Sequence, residues 1–421
     1  MKTIFGLLVT SDTPEVIEKA FNLQKSLYKK ISKTFEEFFI IDLINFTLFK
    51  KNKIYNNKSL NNFTLPHNFK VITPINKFEL NKFLTDKNLV AFEGFGKSLR
   101  NFKIQFLIKE KNIRLIYLQN LGAATMNKYL EQGIIKSEIT KNPKYIYLKL
   151  RKLITYFLIK IFIFLNLFSR IDIYFESNQV IVDNCNNSLG KKIEKIFPFL
   201  RISYFEKIIL INSRSFDVLT NSKLNLSEEK IVFIDGNYFD HGDRIIREGK
   251  PSEELILKYF NQLNQFLLEL SNIYNKKITV CLHPSSDLNT YKKYLGTFEI
   301  CKYQSSENIR QAFIVVFHES SIISDAIILK KKIISLKSST LGDFLMGKID
   351  AYQKRLGFFS YSLDEKKELN KNLLQTTLEK ITKNYDHYIK TELMADGSTL
   401  GEDMIINTVR KEYFMANEHS L

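Results

Sequence analysis

Apolar runs that stop abruptly on a polar residue or a glycine, each followed by a stretch of helical periodicity, recur along most of the chain. Strands of a parallel sheet read this way, because helices cover both faces and leave no wet side to alternate toward. In the first half the runs lie within 1–11 and at 37–43, 69–73, 89–92 and 113–118, with short ones at 171–175 and 180–182. In the second half they are 230–234, 278–282, 299–303, 313–317 and 333–336. Helical pattern fills 14–31, 77–85, 253–274, 322–329, 363–386 and 402–416. This alternation predicts an α/β fold of βαβ units with helices on both faces of each sheet.

At 421 residues the chain exceeds one ordinary domain. The strand–helix pattern restarts at Lys230 after a polar stretch, 221–227. Two Rossmann-like domains are therefore expected, 1–220 and 221–421. The first apolar run resembles a secretory signal only faintly. It holds about six to seven apolar residues and no small-residue cleavage site follows, so it reads as a strand.

Lys and Arg number 62 against 45 Asp and Glu, a formal net charge of +17. Such a field attracts phosphates, anionic sugars or an acidic membrane face without choosing among them. Nucleic acid is not expected, since the lysines are dispersed and no binding motif is present. Three cysteines, Cys185, Cys281 and Cys301, are an odd number without metal-ligand spacing, which fits a reduced, cytoplasmic setting.

The carboxyl ends of strands in an open parallel sheet point into the ligand crevice, so the polar residues that end the runs are the candidates for chemistry. The run at 278–282 ends in His283-Pro284-Ser285-Ser286. Pro284 holds His283 extended, and an imidazole there suits proton donation to a leaving phosphate. The run at 313–317 ends in His318-Glu319-Ser320-Ser321. The two hydroxyls are expected to open the next helix, where one caps it and a phosphate finds free amides. Glu307, in the loop after 299–303, is a candidate for ribose hydroxyls or for capping its own helix.

In the first half, 89–92 leads into Glu93-Gly94-Phe95-Gly96-Lys97-Ser98. Either Glu93 is a general base beside a turn whose glycines admit a ligand, or this is a plain strand-to-helix turn with an exposed glutamate. A phosphate-binding P-loop is excluded, because the first glycine of its pattern is missing before Gly96-Lys97-Ser98. A second glycine turn, 119–125, offers amides and Asn120 but no carboxylate. The loop Asp240-His241-Gly242-Asp243 crowds its potential metal ligands too tightly to close a site, so a polar loop or substrate contact is expected.

The segment 144–170 is basic at its ends and strongly apolar between. Lys160 and Asn166 interrupt it short of the roughly 20 apolar residues a spanning helix needs. It is expected either to lie in a membrane interface, its cations on anionic lipid, or to be a helix buried between the domains.

An acidic-Gly pair, then His-Pro, then Ser-Ser, over about 230 residues, resembles the bacterial sialyltransferases of the two-Rossmann (GT-B) type. The lipooligosaccharide sialyltransferases and capsule polysialyltransferases are particularly similar, and they share a basic apolar segment between domains. Where that family has two acidic residues before the glycine, this chain has Phe92 and Glu93. The resemblance implies two domains facing a central cleft. It also implies an inverting, metal-independent transfer of sialic acid or a related nonulosonate from its CMP donor to a surface glycan or glycolipid, at the inner face of the membrane and with no further cofactor. Glu93, beside Gly94, would then be the base on the acceptor hydroxyl. His283, set by Pro284, would assist the departing CMP phosphate, Ser320 and Ser321 would bind it, and Glu307 would contact the nucleotide. A C-terminal helix that crosses back to the first domain is also expected. The same logic serves a CMP-Kdo or nucleoside-diphosphate-sugar donor, and a non-catalytic basic membrane protein is the remaining alternative.

Overall fold

The computed structural model describes residues 2–10, 24–35, 37–47, 68–95, 101–118, 143–197, 203–221, 227–240, 244–245, 248–365, 369–382 and 385–413. The chain divides into two compact units, the first drawn from Met1–Leu121, Arg151–Asn212 and Ala395–Leu421, the second from Gly122–Leu150 and Ser213–Met394. Each is built on one parallel sheet. Two Rossmann-like units in one chain are the α/β architecture that the GT-B description denotes.

The first sheet comprises β1 (Lys2–Val9), β2 (Phe38–Asp42), β3 (Phe69–Ile72), β4 (Lys87–Glu93), β5 (Arg114–Leu118), β6 (Ile171–Glu176) and β7 (Phe205–Leu210), in the order β3-β2-β1-β4-β5-β6-β7. Its central strands β1, β2, β4 and β5 split their side chains between two cores. Phe5, Leu7, Phe38, Ile40, Phe92 and Ile116 face one, whereas Ile4, Leu8, Phe39, Ile41, Ala91 and Leu115 face the other. Burial on both sides is the reason these strands read as unbroken apolar runs.

The second sheet comprises β8 (Lys230–Ile234), β9 (Lys277–Leu282), β10 (Glu299–Lys302), β11 (Ala312–Phe317), β12 (Lys332–Lys337) and β13 (Phe359–Ser362), in the order β10-β9-β8-β11-β12-β13. The helix Glu253–Tyr274 covers one face through Tyr259, Leu263 and Leu267. Ser252 caps its first turn by accepting from Leu255 N, and Asn275, at φ 52°, ends it in the left-handed conformation. Cys281 and Cys301 are register partners on β9 and β10, and all three cysteines are free thiols.

Several elements differ from the sequence expectation. Residues 180–182 belong to the helix Gln179–Asn186. The local Val-Ile-Val preference for extended backbone loses to Asn178, whose side chain accepts from Ile181 N and starts a helix there. β7 and β13 lie at sheet edges, where only part of each strand is buried and the apolar run is correspondingly broken. The C-terminal helix Gly401–Tyr413 returns to the first unit. Ile405 and Val409 enter its core, and Lys30 meets Glu402 at 3.3 Å and Asp403 at 3.0 Å. The second unit therefore ends at Met394 and does not extend to residue 421.

The basic apolar segment forms the helix Pro143–Phe164. It is not a buried helix. A single stripe, Thr155, Ile159 and Ile163, is covered, while Leu153, Ile154, Phe157, Ile161 and Phe164 are each more than half exposed. Among the described residues no helix is long and apolar enough to cross a membrane.

Candidate active site

In a doubly wound sheet the crevice opens where the strand order reverses, because the loops on either side of that point leave in opposite directions. In the first sheet this point lies between β1 and β4. Glu93 is the last residue of β4, paired in register with Leu8 of β1. Gly94 follows, its N–H donating to Leu8 O at 2.8 Å. A Cβ on Gly94 would lie 2.7 Å from that carbonyl, so the chain needs glycine to hold β4 this close to β1. Glu93 is only 8 % exposed, which removes the reading of a solvent-facing turn glutamate.

Its electrostatic surroundings are visible at Tyr117 on β5. Burial, and then the negative charges of Glu93 and Glu176, push that phenol above its ordinary value. Glu176, at the end of β6, was not singled out in the sequence although it obeys the same rule of a carboxylate closing an apolar run. Burial raises its carboxyl. It accepts from the Tyr174 hydroxyl and from the amides of Ser177 and Asn178 at 2.9 and 3.0 Å. Those bonds commit it to closing the loop after β6. Glu93 remains the carboxylate at the switch point. Residues 96–98 and 119–125 lie outside the described residues, as do His241, Gly242 and Asp243.

In the second sheet the switch point lies between β8 and β11. His283 follows β9, Ser320 and Ser321 follow β11, and Asp235 follows β8 between them. Asp235 organises this edge. Its buried carboxylate accepts from Ser286 Oγ at 2.6 Å, Tyr291 Oη at 2.5 Å, Asn237 N at 3.1 Å and His283 N at 3.2 Å. Burial raises its carboxyl, against the pull of these donors. The signal for it was present in the sequence, an aspartate directly after Ile231-Val232-Phe233-Ile234.

Pro284 sits inside a tight turn closed by Ser286 N donating to His283 O at 2.9 Å. The Ser285 amide donates to His283 Nδ1 at 3.2 Å, and the Ser285 hydroxyl lies 2.8 Å from the same atom. An N–H donor at Nδ1 places the proton of a neutral ring on Nε2. The half-buried imidazole is thereby oriented to donate from Nε2.

Ser320 and Ser321 do not cap the helix Ile323–Ile328 as expected. Ile322 precedes it and makes no side-chain cap. Their carbonyls accept from Ile323 N and Ser324 N at 3.2 and 3.4 Å, so the backbone closes this turn and leaves both hydroxyls out of the capping role. The loop is pinned by Tyr238, whose Oη donates to Glu319 O at 2.8 Å and accepts from Glu319 N at 3.0 Å. Tyr238 reaches it by lying over Gly236, where a Cβ would come within 2.2 Å of the ring. Gly236 and Tyr238 were both missed, since neither looks like chemistry in one dimension.

Glu307 is exposed in the first turn of the short helix Ser305–Arg310, after the edge strand β10 and separated from β11 by β9 and β8. The structure thus brings His283 and Pro284, and Ser320 and Ser321, to strand ends on either side of β8 in one sheet. Glu307 stands at the rim of that sheet, and Glu93 and Gly94 belong to the other.

His318 is structural. It is fully buried, its Nδ1 donates to Leu336 O at 2.8 Å, and its Nε2 accepts from Tyr259 Oη at 2.7 Å. Burial pushes the imidazole down to about 4. A histidine whose folded value is depressed adds stability above its unfolded value near 6.5, and that stability drains away as pH falls toward the folded value. We expect about 3 kcal/mol to be lost from this group between pH about 7 and about 4. Asp235, raised by burial, works in the opposite direction. The check is denaturant unfolding across that range for the wild type and His318→Gln: the wild type should show the steeper loss. Parallel slopes would rule out a buried neutral His318.

No family model matches the chain, and no curated protein matches it. Solved structures with which it shares a likeness include the UDP-GlcNAc 2-epimerase of Methanocaldococcus jannaschii (12% identity, TM-score 0.48, 97% of this chain and 99% of that one). The wall teichoic acid polymerase TagF is similar at 15% identity and a TM-score of 0.47, over 98% of this chain and 89% of that one. The calicheamicin glycosyltransferase CalG4 is similar at 9% identity and a TM-score of 0.46, over 98% and 99%. Likenesses at this level carry nothing about the reaction.

Proposed function

We propose that the protein is an inverting, metal-independent glycosyltransferase that moves sialic acid or a related nonulosonate from its CMP donor to a surface glycan or glycolipid. The observation that carries this reading is the second sheet's switch-point edge, where a histidine oriented through Nδ1 and a pair of uncommitted serine hydroxyls flank one strand. A phosphate leaving group needs both a proton or hydrogen-bond donor at the departing oxygen and neutral donors around the rest of its charge. In this scheme His283 Nε2 assists the bond that breaks between the sugar and CMP, while Ser320 and Ser321 hold the phosphate. Glu93 takes the proton from the acceptor hydroxyl as the new bond forms. Pro284 and Gly94 fix the backbone at the two reacting ends, and Glu307 contacts the nucleotide from the rim.

The donor is tested by incubating the purified protein separately with CMP-Neu5Ac, CMP-Kdo and UDP-sugars and measuring nucleotide release. Release from CMP-Neu5Ac supports the reading. Release confined to CMP-Kdo or a UDP-sugar moves the enzyme to another donor class, and release from none removes the transferase assignment.

A further inference from the structure

A buried cysteine ordinarily behaves as a small hydrophobic side chain. Cys281 and Cys301 depart from that because each faces the other. They are register partners on the parallel strands β9 and β10, so both side chains leave on one side of the sheet, toward the core that holds Val315 and Ile327. The two Sγ atoms lie 3.4 Å apart. Neighbouring strands run about 4.8 Å apart, within the roughly 4.4–6.8 Å between Cα atoms that a disulfide spans. The sheet thus holds the two chains at a bonding distance.

The two thiols are not equivalent. Cys281 is 1% exposed, whereas Cys301, on the edge strand, is only half-buried and open to small solutes. The Asn308 side-chain amide donates to Cys301 Sγ at 3.3 Å, and the Lys230 ammonium donates to Asn308 Oδ1 at 2.9 Å. An aliphatic core offers a sulfur neither. The hydrogen bond with Cys281 first, and the Lys230 charge after it, hold the Cys301 thiol below its ordinary value against burial. The same bond, and then burial, push Cys281 far up. Cys301 is therefore the sulfur that gives up its proton and Cys281 the one that keeps it.

A thiolate within reach of solvent, backed by a second thiol, is the arrangement of an attacking and a resolving cysteine. We propose that Cys301 and Cys281 form a reversible oxidation site for hydrogen peroxide. The Cys301 thiolate attacks one peroxide oxygen, the O–O bond breaks, and the leaving hydroxide takes up a proton as water. Cys281 Sγ then attacks the sulfur of the sulfenic acid so formed, the S–O bond breaks, and the departing hydroxide leaves with the Cys281 proton as a second water. The sulfurs lose two electrons, the peroxide gains them, and a dithiol reductant reverses the change. Leu282 alone separates Cys281 from His283, and β10 leads into the helix that carries Glu307. The bond would thus form beneath the site's edge of the second sheet. This inference is independent of the donor sugar.

The test treats reduced full-length protein with several equivalents of hydrogen peroxide, quenches with catalase, then unfolds and alkylates. The chain has three cysteines, and Cys185, on the helix Gln179–Asn186 of the first unit, is the internal comparison. After peroxide only Cys185 should take the alkylating agent, and proteolysis should release the Cys281 and Cys301 peptides joined. Dithiothreitol should restore alkylation of all three. On the native protein, Cys301 should react with a thiol probe about tenfold faster than Cys185 at neutral pH. Cys281→Ser leaves the attacking sulfur without its resolving partner and should accumulate a sulfenic acid that dimedone traps at Cys301. Cys301→Ser should leave Cys281 reduced under the same treatment, and it serves if the Cys281 variant fails to fold. Peptides joined through Cys185, faster reaction at Cys185 than at Cys301, or all three thiols still alkylated after peroxide would each overturn the proposal.

Discussion

His283→Ala is expected to lower the turnover number for glycosyl transfer by roughly a hundred- to ten-thousand-fold, the usual weight of a positioned general acid. The donor KM should change little, because in the proposed scheme Ser320 and Ser321 hold the phosphate and Glu307 contacts the nucleotide without His283. The expectation rests on geometry that the protein maintains at some expense: the Ser285 amide and hydroxyl both point at Nδ1, and the His283 amide is tied to Asp235. The Ser285 amide fixes which nitrogen of a neutral ring carries the proton, and the tie to Asp235 holds the backbone that carries the ring. Glu93→Gln should cost a comparable factor through loss of the base, while leaving slow donor hydrolysis in place, since leaving-group assistance by His283 does not depend on Glu93. The measurement is initial rates of CMP release and of transfer, side by side. Retention of full transfer by both variants would falsify the assignment of Glu93 and His283.

Asp235→Ala should be the most destabilising single change at the candidate site, costing about 3–5 kcal/mol, because it strands several buried donors at once. The Ser286 and Tyr291 hydroxyls lose their acceptor, as do the amides of Asn237 and His283. Asp235→Asn keeps the shape and one acceptor oxygen but turns its NH2 toward one hydroxyl, which can turn to accept, and one backbone amide, which can only donate, so a smaller loss of about 1–3 kcal/mol is expected. Denaturant titration measures both. If Asp235 acts by positioning His283, the Asn variant should also reduce turnover more than donor KM, and the loss should not be recovered when the assay temperature is lowered. An Asp235→Asn variant with full turnover and reduced stability would assign the residue to structure alone.

The alternation of strands and helices was legible because both faces of each sheet are buried, which leaves runs such as 231–234 and 314–317 apolar from end to end. The same physics made the strand-end residues legible: Glu93 and His283 stand where such a run breaks, and Ser320 and Ser321 follow closely on a third break at His318. Edge strands broke the rule, since β13 carries Phe359-Ser360-Tyr361-Ser362 with every residue only partly buried. Residues 180–182 misled because a capping asparagine outweighs three β-branched neighbours. At the site, what remained hidden were supports whose meaning is spatial. Asp235 matters because β8 lies between β9 and β11, and Gly236 because a tyrosine two residues later must pass over it. His318, which also ends an apolar run, is a neutral post between Tyr259 and Leu336.

The helix Gly401–Tyr413 sets the order in which the protein becomes whole. Ile405 and Val409 close a face of the sheet that begins with the first residues of the chain, and Lys30 finds Glu402 and Asp403 there. The second sheet, by contrast, lies wholly between Lys230 and Ser362. On the ribosome, domains fold in order of emergence. Here one face of the unit that emerges first is covered only in part, by Leu27, Tyr28 and Ile31 of the helix Lys25–Thr34, until this late helix arrives, while the second sheet needs nothing from it. Synthesis and completion therefore run in opposite directions, and the helix Gly401–Tyr413 acts as the latch on strands made long before it.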